Sequence, residues 1–140
     1  MERGGPGPIV LVVDDDDDHA FTLATLLELE GFVVLVASSR VEARAILASR
    51  PVDVLLADLS LGDGTALDLM RELGSRPRVA IVLSGFDGAG DVERTLAAGF
   101  DAHLTKPAHL PLLRDTIASG LRLSEGAACA DPRFRRASRE

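Results

Sequence analysis

Five short apolar runs, each followed by a stretch of helical periodicity, constrain this chain more than any other feature. They fall at residues 9–13, 32–37, 52–57, 79–83 and 102–105. Strand-length runs that alternate with helices predict a parallel α/β sheet, and their near-continuous apolar character fits strands covered on both faces. Apolar spacing predicts helices over about residues 18–30, 40–49, 66–73, 89–98 and 110–121. In the first, Ala20, Phe21, Leu23, Ala24, Leu26 and Leu27 are expected to face inward; in the last, Leu112, Leu113, Ile117 and Leu121. Gly31 and Gly99 supply stops. Ser39 to Glu42 has capping-box spacing, and Pro51 lies just past the end of that helix.

Right-handed crossovers bring the C-terminal ends of all the strands to one edge of the sheet, where open α/β sheets bind their ligands. The residues just past each strand therefore matter most. Asp14 to Asp18 follow the first strand, Asp58 the third, Ser84 the fourth, and Lys106-Pro107 the fifth. Three separated strands thus deliver two acid groups and one ammonium to one patch, with the hydroxyl of a fourth beside them. Asp14, Asp15 and Asp58 crowded together would raise one another's pKa unless a cation sat among them, and a hard divalent ion with oxygen ligands such as Mg²⁺ meets that need. The plainer reading of the Asp run is a solvated loop favouring a helix N-terminus, which suits Asp16, Asp17 and Asp18. Taken singly, Lys106 reads as a surface lysine, and Ser84 and Asp58 as turn or cap residues; only their joint placement points to chemistry. An EF-hand loop beginning at Asp14 fails, because His19 and Thr25 stand where Gly and Glu are required. His19, His103 and His109 are scattered along the chain and form no transition-metal motif.

Composition narrows the classes. A chain of 140 residues with 46% apolar content suits one domain with a real core. A net charge of −7 and an aromatic content of 4%, without Trp or Tyr, argue against a nucleic-acid surface, whether electrostatic or stacking. Cys129 is the sole cysteine, so no internal disulfide is expected. No apolar run approaches the length of a membrane span, and a soluble cytoplasmic protein is the expectation. Residues 1–8 are read as a flexible N-terminus, 9–123 as the domain, and 124–140 as a flexible tail too short to fold alone.

Val10-Leu-Val-Val-Asp-Asp15, Asp58 after a strand, Leu83-Ser-Gly85 and Leu104-Thr-Lys-Pro107 stand in register across residues 9–122. Together they resemble the receiver domain of two-component response regulators. The resemblance implies a flavodoxin-like, doubly wound sheet of five parallel strands in the order 2-1-3-4-5. It implies Asp58 as phospho-acceptor, served by a histidine kinase or histidine phosphotransfer protein. Mg²⁺ would be held by Asp15, Asp58 and the backbone carbonyl of Ser60, with Asp14 acting through water, while Lys106 and Ser84 engage the phosphoryl group. Such a domain is not an enzyme beyond its own phosphorylation and dephosphorylation. It would meet a downstream protein through the face made by the fourth helix, fifth strand and fifth helix, and neither nucleic acid nor membrane is expected as a partner. His103 takes the place of the usual switching Tyr or Phe, and its alternative is a surface His without that role. Phe86 stands where the family tunes acyl-phosphate hydrolysis, and its bulk predicts slow self-dephosphorylation.

Two departures from the family pattern are Gly62, where proline is common, and Ala66, where glycine is common; both predict a looser loop after Asp58. Asp63-Gly64-Thr65 matches part of the Asp-x-Asp-Gly-Thr motif of haloacid-dehalogenase-like phosphatases, but the nucleophile would fall on Leu61. The alternatives are a receiver-like interaction module that is not phosphorylated, or a small hydrolase or flavin binder on the same fold.

Overall fold

Side chains alternate along each central strand, which divides the apolar residues into two cores, one on each face of a single sheet. The computed structural model describes residues 7–74, 76–85, 89–106 and 109–126, with backbone alone at 89–91 and 124–126. Its elements are β1 (Ile9–Val13), α1 (Asp17–Leu29), β2 (Val33–Ala37), α2 (Arg40–Ser49), β3 (Val54–Asp58), β4 (Ser60–Leu61), β5 (Gly64–Thr65), α3 (Ala66–Glu72), β6 (Val79–Ser84), α4 (Ala89–Ala97), β7 (Ala102–Thr105) and α5 (Leu110–Gly126). Five strands pair in parallel in the order β2-β1-β3-β6-β7. Counting the long strands alone, that is the predicted order 2-1-3-4-5. β4 and β5 form a separate two-residue antiparallel hairpin between β3 and α3.

Leu11, Val13, Leu55, Ala57, Ala80 and Val82 point to the core that also holds Ala43, Leu69 and Phe100. Val10, Val12, Val54, Leu56, Ile81 and Leu83 point the other way, against Ala20, Leu23, Leu27, Leu113 and Ile117. Helices on both faces explain why β1, β3 and β6 carry apolar residues at consecutive positions. α5 runs close to β6: a Cβ added at Gly120 would lie 2.7 Å from a Val79 methyl.

The structure corrects three inward assignments. Phe21 is 71% exposed, Leu26 36% and Leu112 50%. In α1 the buried stripe is Ala20, Leu23, Ala24 and Leu27. The two alanines let the helix approach the sheet closely, and the larger residues beside them are left on the rim. α5 continues to Gly126, past its expected end at residue 121. The capping box also lies elsewhere than predicted. Ser39 accepts from the Glu42 N–H, but Glu42 bonds back to Ser38; the reciprocal pair is Thr65 with Asp68, at the start of α3. Phe86, Pro107, Cys129 and the segments 1–6 and 127–140 lie outside the described residues.

Candidate functional site

The ladder of the sheet continues one rung past three strand ends and fixes the residues that follow. The Asp14 N–H donates to the Ala37 carbonyl at 3.1 Å, Leu59 N–H to Leu83 at 2.9 Å, and Lys106 N–H to Ser84 at 2.7 Å. Register places Asp58 opposite Leu83, and Ser84 opposite Thr105. Backbone pairing alone thus carries Asp14, Asp58, Ser84 and Lys106 to one edge.

The acidic and ammonium side chains among them converge as the sequence predicts. Carboxylate oxygens of Asp14, Asp15 and Asp58 lie within 4.8 Å of one another. Lys106 Nζ stands 3.1 Å from Asp58 Oδ2 and 3.8 Å from Asp14 Oδ2. Asp14 is buried, Asp58 half-buried and Asp15 exposed, so the cluster opens to solvent on one side. Burial pushes the Asp58 carboxyl above the usual carboxylate range; the Lys106 hydrogen bond and charge oppose that rise, and Asp14 and Asp15 add to it. The donors are all hard oxygens with an excess of negative charge over the single ammonium, which is the chemistry of a Mg²⁺ or Ca²⁺ site. The residues present therefore fit a divalent ion.

Asp16 is the N-cap of α1, accepting from the Asp18 and His19 N–H groups. Asp17 and Asp18 occupy its exposed first turn. That is the solvated-loop reading, and for these three residues it is sufficient. Ser84 is buried, with its carbonyl held by Lys106. Ser60 lies two residues past Asp58 in β4, and its side chain is exposed. His103 is not part of the acid cluster: it is partly buried on β7, and its Nδ1 lies 3.2 Å from Oγ1 of the buried Thr95 on α4.

Two features escape sequence reasoning. His19 Nδ1 contacts Asp14 Oδ2 from the first turn of α1, although the scattered histidines suggest no pairing. The available signal is spacing, since a residue three after an N-cap can turn back toward the strand end. The loop after Asp58 is also tied down despite Gly62 and Ala66. It forms the β4–β5 hairpin, is closed by the Ala66 N–H to Leu59 carbonyl bond at 2.9 Å, and is fastened to α2 by Asp63.

Residues 10–118 match the family described as the response regulator receiver domain. The chain is 35% identical over 106 residues to the photosynthetic apparatus regulatory protein RegA of Rhodovulum sulfidophilum, a match that covers 74% of this chain and 58% of that regulator. The chain therefore spans little more than half the length of that relative. A receiver domain protein from Methanospirillum hungatei superposes with a TM-score of 0.80 at 27% identity, covering 86% of this chain and 98% of the other. A response regulator from Burkholderia pseudomallei, solved with a phosphorylated aspartic acid, calcium ion and citrate, gives 0.74 at 26%, covering 89% and 76%.

Proposed function

This chain belongs to the response regulator receiver domain family, and from that membership we propose that it is a phospho-accepting switch whose acceptor is Asp58. The observation that carries the assignment is the placement of Lys106 between Asp58 and Asp14 beside a three-carboxylate cluster. The similar Burkholderia protein, with its phosphorylated aspartic acid and calcium ion, supports the same pairing of acceptor and divalent ion.

A phosphohistidine on a histidine kinase or phosphotransfer protein is the proposed donor. The Asp58 carboxylate oxygen forms the new bond to phosphorus as the phosphorus–nitrogen bond to the imidazole breaks, and the leaving imidazole takes a proton from solvent. An ionised carboxylate needs no general base. Catalysis is then mainly positioning and neutralisation of charge on the phosphoryl oxygens. Lys106 supplies one fixed cation for that charge, and the Ser84 hydroxyl a hydrogen bond. Asp14, Asp15, Asp58 and the backbone carbonyl of Ser60 would hold Mg²⁺, which when bound offsets the negative charge of both carboxylates and phosphoryl group. The domain, residues 9–123, otherwise carries out no chemistry.

The phosphoryl signal is read out as a population shift on the face formed by α4, β7 and α5, where a protein partner docks. The contact between His103 and Thr95 supports a role for His103 in that shift, because it ties β7 to α4. Among the described residues no helix is long and apolar enough to cross a membrane; membership of the receiver family is what supports a cytoplasmic location.

Acetyl phosphate or beryllofluoride with Mg²⁺, followed by intact mass and NMR, tests the assignment. The wild type gains the adduct and Asp58→Asn does not. A wild type without adduct would leave a receiver-like interaction module that is not phosphorylated.

A further inference from the structure

The acid cluster lies at the ends of two strands, β1 and β3, but the loop bearing Ser60 is held from a helix, α2. Asp63 Oδ1 accepts from the Arg40 N–H at 2.8 Å, and Oδ2 from the Val41 N–H at 3.1 Å. Its own carbonyl accepts from Arg40 Nε at 2.9 Å. Arg40 also reaches Glu72 of α3, so one arginine fastens the loop to helices on both sides. Gly64 keeps that fastening close: at φ +149 its added Cβ would lie 2.7 Å from Arg40 Nε and 2.8 Å from Arg40 Cδ. Gly62 lies over the cluster, its added Cβ 3.7 Å from Asp15 Oδ2. Asp63 is therefore the residue between a glycine facing the cluster and a glycine facing the clamp.

We propose that Asp63 is a positioning residue for the divalent cation: by binding the N-terminus of α2 it holds the Ser60–Gly62 backbone against Asp15 and Asp58. In this chain the aspartate clamp sets the loop where family members often have proline. The inference rests on the divalent-ion reading above. It concerns how the loop is held, and Asp63 itself makes no contact with the ion.

The test is a Mg²⁺ titration followed by NMR amide shifts of Asp15 and Asp58, together with thermal unfolding in the absence of divalent ions. The variants are Asp63→Ala, Asp63→Asn and Ser39→Ala. Ser39 caps the same helix by accepting from the Glu42 N–H at 3.1 Å and makes no side-chain hydrogen bond to the loop, so it reports the cost of fraying α2. Residues that orient a metal's ligands typically change its affinity about 10- to 100-fold. Asp63→Ala is accordingly expected to weaken Mg²⁺ binding about tenfold. Asp63→Asn retains one acceptor oxygen and falls between it and the wild type, and Ser39→Ala changes the affinity less than about twofold. Should Asp63→Ala fail to fold, Asp63→Asn against Ser39→Ala carries the same contrast. Equal weakening by the Asp63 and Ser39 variants at equal loss of thermal stability overturns the proposal, as does unchanged binding in Asp63→Ala. A wild type that binds no Mg²⁺ overturns the divalent-ion reading itself, a separate result that removes this inference with it.

Discussion

The two edges of the sheet treat buried charge in opposite ways. At the edge where the strands begin, Asp53 and Asp101 each have an arginine and a backbone donor. Asp53 accepts from the Ile9 N–H at 2.8 Å and lies 3.5 Å from Arg78. Asp101 accepts from the Ala80 N–H at 2.9 Å and from Arg76 at 2.8 Å. At the edge where the strands end, Asp14 and Asp58 share Lys106 beside the exposed Asp15, with His19 against Asp14. One edge is neutralised from within the fold. Among the described residues the other keeps a negative excess that a cation arriving from outside would balance. Stability and function are thus separated by the length of a strand.

The largest effect that would break this contrast comes from the matched edge. Asp101→Ala leaves Arg76 without its partner and the Ala80 N–H without its acceptor. Because Arg76 keeps part of its side chain in solvent, the expected loss is about 2–3 kcal/mol, below the range for a fully buried pair. Denaturant unfolding measures it, and beryllofluoride uptake at low temperature should persist.

Next in size is the response to a divalent ion. Mg²⁺ at ten times its dissociation constant should stabilise the wild type by about 1.4 kcal/mol, from RT ln(1 + [L]/Kd). Thermal unfolding should show most of that gain lost in Asp58→Asn. Equal gains in both proteins would place the ion elsewhere.

Removing one of the crowded charges should act in the opposite direction from Asp101→Ala. Without divalent ions, Asp58→Asn is expected to raise the melting midpoint by about 2–5 °C, the effect of roughly 1 kcal/mol on a domain of this size. A lower midpoint would mean that the Lys106 pair outweighs the repulsion.

The smallest effect is in pH. The Asp58 carboxyl is raised in the folded state, mainly by burial, so between its unfolded and folded pKa the native protein holds more protons than the unfolded chain. Stability from this group is present below the unfolded pKa and is lost as pH rises through the folded one. Asp63 and Asp68 are shifted the opposite way, chiefly by the Arg40 and Thr65 backbone N–H groups, so the slope must be read as wild type minus Asp58→Asn. That difference should fall with rising pH when divalent ions are absent and flatten when Mg²⁺ is present.

The same contrast explains what the sequence discloses. The strands and the strand-end residues are legible because both follow from local pattern and from the rule that crossovers share one hand. β1 and β7 carry the predicted bounds, and Asp14, Asp58 and Lys106 meet as their positions require. Phe21 and Leu112 are misread because periodicity gives the direction of an apolar stripe but not its width, which neighbouring alanines and the sheet decide. His19's pairing and the Asp63–Arg40 clamp are missed for a different reason. Both join residues through side-chain reach, and Arg40 and Asp63 are 23 positions apart, beyond any local signal.

The position of β3 has a further consequence for motion. It pairs with β1 on one side and β6 on the other, whereas among the described residues β7 has a strand partner only in β6. Backbone amides opened only by global unfolding exchange slowest with deuterated water, and those on an outer strand exchange through smaller excursions. The proposed acceptor, Asp58, therefore ends a strand whose amides should be among the slowest to exchange, while Lys106 follows an outer strand whose amides should exchange sooner.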